Sequence, residues 1–194
     1  MTRQITPTEA FKLMEELQEA HYKAALDNHN ISKMAALTVF DGSDNPMNAI
    51  AAGLLSTGGI HGPLTETREL LRMYNQDKDF CIAYMTDMVK GGGKIPGLGN
   101  SFFKDKVDPA FSPTLELYVQ TCNDLGEDPL LTNFAKDANL AIEQAKGVNK
   151  NLYLNASAIT AGITELLGGC KYIENWFFIA GRSRAWIEIM ATKP

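Results

Sequence analysis

A chain of 194 residues, 45% hydrophobic and 21% charged, is long enough to bury a substantial core as one domain or as two small lobes sharing a core. Its net charge of −5, with no basic tract, argues against a nucleic-acid partner, and no run approaches the roughly 18 apolar residues of a membrane-spanning helix. Cys81, Cys122 and Cys170 form no metal-ligand or disulfide spacing, so no metal is expected, and Met1-Thr2-Arg3-Gln4 lacks the apolar core of a signal peptide, so a cytoplasmic location is expected.

Thr6-Pro7-Thr8-Glu9 opens the first helix, with a hydroxyl at the N-cap, proline at the first helical position and glutamate at the third. Ala10, Met14, Leu17, His21 and Ala24 then share a face, which predicts a helix to Leu26. The spacing predicts a second helix from Ile31 to Phe40, ended by Asp41-Gly42-Ser43-Asp44. Asn45-Pro46 opens a third, whose small residues through Leu55 suit close helix packing. Thr65 to Tyr74 and Phe80 to Val89 read as two more, the second stopped by Gly91-Gly92-Gly93. Ser112-Pro113 and Asp128-Pro129 repeat the cap-and-proline device ahead of two further apolar stripes. Asn155 to Leu167 reads as a well-buried helix. Tyr172 to Ala191, apolar on nearly every side, marks a central helix or one in an oligomer interface. No stretch alternates as a strand would, so the expected fold is all-α.

Glycine-bearing loops at 58–63 and 94–100 flank the fourth and fifth helices, and either bring main chain close to a ligand or serve only as caps and turns. Gly91-Gly92-Gly93-Lys94 lacks the spacing of a Walker loop, yet Lys90, Lys94 and the nearby amides suit a phosphorylated or carboxylated ligand as well as a solvated turn. His61 is either a donor to a substrate carbonyl or a structural histidine. Arg182 and Arg184 lie inside the apolar last helix, where a guanidinium needs a partner: a carboxylate of the chain or of a ligand.

Four blocks occur in order. Asn45-Pro46 leads through Ile50-Ala51-Ala52-Gly53-Leu54 to Gly59-Ile60-His61-Gly62, and Lys94-Ile95-Pro96-Gly97-Leu98-Gly99-Asn100 continues to Lys104 and Asp108-Pro109. Leu154-Asn155-Ala156-Ser157-Ala158 and Phe177-Phe178-Ile179-Ala180-Gly181-Arg182-Ser183-Arg184-Ala185-Trp186 follow. Together they resemble the citrate synthase superfamily, citryl-CoA lyases included, whose segments read G-P-x-H-G-G, P-G-F-G-H with K-x-x-D-P-R, N-V-D, and F-x-x-A-R-T-x-G-W.

The resemblance implies a citrate synthase-like helical fold in a homodimer, with residues 1–64 and 158–194 as a reduced large, dimerisation domain and 65–157 as a small domain closing over a cleft. Members of the superfamily are usually longer, so an N-terminal portion is expected to be missing. It implies a coenzyme A thioester as substrate, beside a small carboxylic acid, with Lys94, Ile95, Pro96, Gly97, Leu98 and Gly99 recognising CoA. In the superfamily's mechanism an aspartate removes a proton α to the thioester, one histidine stabilises the enol, a second polarises the keto-acid carbonyl, and arginines hold carboxylates. The enol-side histidine maps to His61 and a carboxylate-binding arginine to Arg182. The second histidine maps to Asn100, the base to Ser157 and the D-P-R arginine to Ala110, while His29 stands near the place of the keto-acid-binding histidine. Serine unaided is a poor base, and loss of a general base costs on the order of 10² to 10⁴ in rate. Asp27, Asp108, Glu66 or His29 are alternative bases, and Lys106 or Arg184 alternative cations. Two functions follow: a divergent Claisen-type enzyme, or a non-catalytic relative that binds CoA or a carboxylate or acts as a regulatory subunit of a full-length synthase.

Overall fold

The structure, a computed structural model, describes residues 4–27, 31–55, 64–169 and 171–192. Among the described residues the chain forms nine helices: α1 (Pro7–Asp27), α2 (Ile31–Ser43), α3 (Pro46–Leu55), α4 (Leu64–Gln76), α5 (Lys78–Lys90), α6 (Ser112–Leu125), α7 (Leu130–Lys146), α8 (Ala156–Leu166) and α9 (Lys171–Ala191). An isolated antiparallel bridge, Leu98 to Leu154, is the β-type pairing present among them.

Local chemistry starts most of these helices where expected. At α1 the Thr6 hydroxyl accepts from Glu9 N at 3.3 Å while the Glu9 carboxylate accepts from Thr6 N at 2.9 Å, a reciprocal capping box. Asn45 Oδ1 accepts from Met47 N at 2.9 Å and starts α3, and Asp77 Oδ1 accepts from Phe80 N at 3.0 Å and starts α5. Two expected caps are corrected. Ser112 is the first residue of α6 and does not cap it; Phe111 occupies the cap, and the turn before it is made by Asp108, which accepts from Ala110 N on its side chain and from Phe111 N on its carbonyl. Likewise Pro129, not Asp128, occupies the α7 cap, without a side-chain hydrogen bond. The second helix also outruns its expected end, because the chain stays helical through Gly42 and leaves only at Asp44, at φ +48°.

The main core is shared by α1 and α4 to α9. Leu13 and Leu17, Leu70 and Leu71, Met85, Tyr118, Phe134, Ile159, Ile163 and Phe177 are all enclosed there. A second cluster joins α2 and α3 to the far half of α9, where Ala36, Ala49, Trp186 and Met190 are buried. The two clusters meet along α9, whose contact with α1 is tight: a Cβ on Gly181 would stand 2.6 Å from His21 Cβ and 2.8 Å from Gln18 O. α9 is not enclosed all round, since Trp176, Ile179 and Ile187 remain exposed.

Candidate binding site

The loop from Lys94 to Asn100 follows α5 and turns at Gly97 (φ +87°) and Gly99 (φ +80°), a backbone conformation that side chains strain. At Gly97 a Cβ would also stand 2.8 Å from Thr67 Cγ2 and 3.0 Å from Ala158 Cβ, so the loop lies hard against α4 and α8. Main-chain bonds pin it there: Gly99 N donates to Tyr153 O at 2.8 Å and Asn155 N donates to Gly97 O at 2.9 Å. The Asn155 side chain adds a third tie, with Nδ2 donating to Gly99 O at 3.2 Å. Its Oδ1 accepts from Ser157 N and Ala158 N, capping α8.

Beside this loop is a cavity of about 420 Å³, into which Lys94, Ile95, Leu98, Gly99 and Asn100 face from one side and Lys146 and Lys150 from the other. Its described lining contains three lysines and no carboxylate. In a chain of net charge −5 that is a local reversal of sign, suited to an anion bearing an apolar part. Pro96 turns to a separate hollow of about 310 Å³ between α4 and α5. Asn100, at the cavity edge, commits its Oδ1 to Phe102 N at 2.9 Å. Ser157 is half-buried in the first turn of α8, its amide held by the cap.

Arg182 occupies a second cluster on the other flank of α8. Its guanidinium stacks on Phe178, 4.0 Å from the ring centre. Burial depresses its pKa to about 10, with the Asp108 carboxylate opposing that shift, so it is cationic at neutral pH. His21 lies in the same cluster, edge-on to Phe111 and Phe178. The Thr160 hydroxyl donates to Ala156 O at 2.7 Å, so it accepts from His21 Nε2 at 2.9 Å; the ring is then the Nε2–H tautomer, and Nδ1 is buried without a hydrogen-bond partner among the described residues. Burial first, and the Arg182 charge second, hold the His21 pKa down at about 3. Ala158 backs the loop and Thr160 meets His21, so the opening turns of α8 separate the lysine-lined cavity from the Arg182 cluster.

The structure does not bring Arg184 to this cluster. It is exposed, paired with Glu19 at 3.1 Å and stacked 4.0 Å from the Tyr22 ring centre. His29 and His61 lie outside the described residues. Lys146, Lys150, His21 and the Asn155 carboxamide are participants that sequence reasoning did not single out; for Asn155 the signal was present, an asparagine directly ahead of a helical run. Among the described residues no group of three or more His, Cys, Asp or Glu is placed to hold a metal, and no helix is long and apolar enough to cross a membrane.

Solved structures share this architecture. The citryl-CoA lyase from Hydrogenobacter thermophilus matches with a TM-score of 0.75 at 22% identity, over 97% of this chain and 70% of the lyase. Citrate synthase from Thermotoga maritima matches at 0.64 and 19% identity, over 90% of this chain and 48% of the synthase. ATP citrate lyase from Methanothrix soehngenii, solved in complex with citrate and coenzyme A, matches at 0.67 and 20% identity, over 95% of this chain and 31% of the lyase. No protein-family model matches the sequence, and no curated protein matches it. The fold is therefore the all-α, citrate synthase-like fold that the sequence resemblance implies, on a chain that spans 48% of the synthase.

Proposed function

We propose that this protein binds the nucleotide part of a CoA thioester in the lysine-lined cavity and a small carboxylic acid beside Arg182, for a Claisen-type formation or cleavage of a carbon–carbon bond. The observation that carries the reading is the cavity itself: three lysines and the main chain of the 94–100 loop around about 420 Å³. Ammonium groups meet phosphates as point charges, and the apolar walls at Ile95, Leu98 and Leu152 suit an adenine ring. In this reading Arg182 holds a carboxylate, His61 donates to the enol oxygen, His29 approaches the keto acid, and Asn100 and Ser157 occupy the places of the second histidine and the base.

Asn100 gives a specific reason to keep the second reading, a binder without turnover. Its acceptor is already used by Phe102 N, and a carboxamide supplies no proton. Following release of free thiol from acetyl-CoA with oxaloacetate, and of oxaloacetate from citryl-CoA, separates the two. Release above that of a His61→Ala variant supports the enzyme; binding of CoA with release no faster than in that variant supports the binder.

The reading includes a homodimer built on the α2, α3 and α9 face, supported by the exposed apolar side chains Met34, Met47, Leu55, Trp176 and Ile187. Sedimentation velocity returning a monomer at micromolar concentration would remove this element. It also includes closure of residues 65–157 over 1–64 and 158–194, and a cytoplasmic setting, which the free thiols Cys81 and Cys122 support.

A further inference from the structure

A single carboxamide joins the cavity loop to the helix that carries Ser157. Asn155 Oδ1 accepts from Ser157 N at 3.0 Å and from Ala158 N at 3.2 Å, satisfying two amides that the start of α8 leaves orphaned. Its Nδ2 donates to Gly99 O at 3.2 Å, and its backbone N donates to Gly97 O at 2.9 Å. A helix start alone needs only the acceptor, which serine, threonine or aspartate supplies as well. Asparagine is the short capping side chain that also presents an N–H pair to a neighbouring carbonyl.

The loop depends on that second function. Gly97 and Gly99 both sit at positive φ, where glycine has the widest choice of alternatives, and the loop's own closing bond, Leu98 N to Ile95 O, is long at 3.4 Å. Both carbonyls that Asn155 holds belong to those two glycines.

We infer that Asn155 is a positioning residue: it fixes the main chain along the cavity to the first turn of α8, so that occupancy of the cavity and placement of Ser157 move together. The ligand in this inference rests on the CoA reading above; the mechanical link does not.

The test compares wild type with Asn155→Ser, which keeps a capping oxygen and removes the amide donor, and with Asn155→Asp, which strengthens the cap and turns a carboxylate toward Gly99 O. Three quantities are read: melting temperature, deuterium exchange of the amides of residues 99 and 155, and CoA affinity. Both variants are expected to melt within about 5 °C of wild type, to exchange those amides about tenfold faster, and to bind CoA about tenfold more weakly. Wild-type exchange at residue 99 overturns the inference. So does a lowered melting temperature with CoA affinity unchanged, the signature of a purely structural cap. If wild type itself binds no CoA, the CoA reading fails, and exchange alone decides: faster exchange upholds the link and unchanged exchange overturns it.

Discussion

His21 is an imidazole held neutral by its surroundings. Phe111 and Phe178 pack edge-on against it, the Thr160 hydroxyl accepts a hydrogen bond from its one N–H, and Arg182 adds a nearby positive charge. Its folded pKa of about 3 lies below the unfolded value near 6.5, so on acidification the unfolded chain takes up the proton first. The stability this site confers is whole above about pH 6.5 and is lost as pH falls toward 3, at up to about 1.4 kcal/mol per pH unit. Urea unfolding at pH 7.5 and 5.0 should show wild type losing about 2 kcal/mol more than His21→Gln, which cannot titrate. Equal losses in the two proteins would contradict a buried, neutral His21. Asp137 works in a lower window. Burial pushes its carboxyl up, but hydrogen bonds from Lys78 and Tyr74 outweigh that and leave it below the ordinary carboxylate range, so its contribution is kept until pH falls below about 4.

Helices α4 and α8 are joined by an ion network that no sequence spacing announces. Glu165 accepts from Arg68 Nε and from Arg72 Nε, the latter at 2.9 Å, while Arg68 also donates to Gly169 O at 2.8 Å. The two arginines differ in burial, since the Arg68 side chain is 7% exposed and that of Arg72 50%. Removing the carboxylate takes an ionic partner from a buried guanidinium, whereas removing the exposed arginine takes away a screened contact. Glu165→Ala should therefore lower the unfolding free energy by about 2 kcal/mol or more, and Arg72→Ala by about 0.5, both read from urea midpoints. Similar losses in both would show that burial does not set the strength of this network.

At this scale the sequence was informative wherever structure is local. Thr6 with Glu9, Asn45 and the glycine stop after α5 were legible because each bond spans a few residues. Ser112 and Asp128 misled because a proline next to a polar residue fits more than one register: Asp108 had already made the turn before α6, and Pro129 itself took the α7 cap. Lys146 and Lys150 were not legible for the opposite reason. They come to Lys94 only through packing of α5 against α7, a contact between segments about fifty residues apart.

The whole molecule combines an all-α, citrate synthase-like framework with side chains that differ from those the sequence resemblance implies. The framework was legible because four blocks, each weak alone, occur in order along the chain. Asn100 and Ser157 stand where a histidine and an aspartate were expected from the resemblance, and each has a local structural role, Asn100 closing its own turn and Ser157 receiving the α8 cap. The groups proposed to hold an anion stand around α8, with the lysine cavity on one flank and Arg182 on the other. That makes CoA binding the property on which the rest depends. The direct measurement is calorimetric titration of the full chain with CoA, for wild type and for Lys146→Ala/Lys150→Ala. One binding event is expected in wild type, weakened about tenfold or more in the double variant and further weakened by salt. Absence of binding in wild type, or binding indifferent to both lysines, would contradict CoA recognition at this cavity.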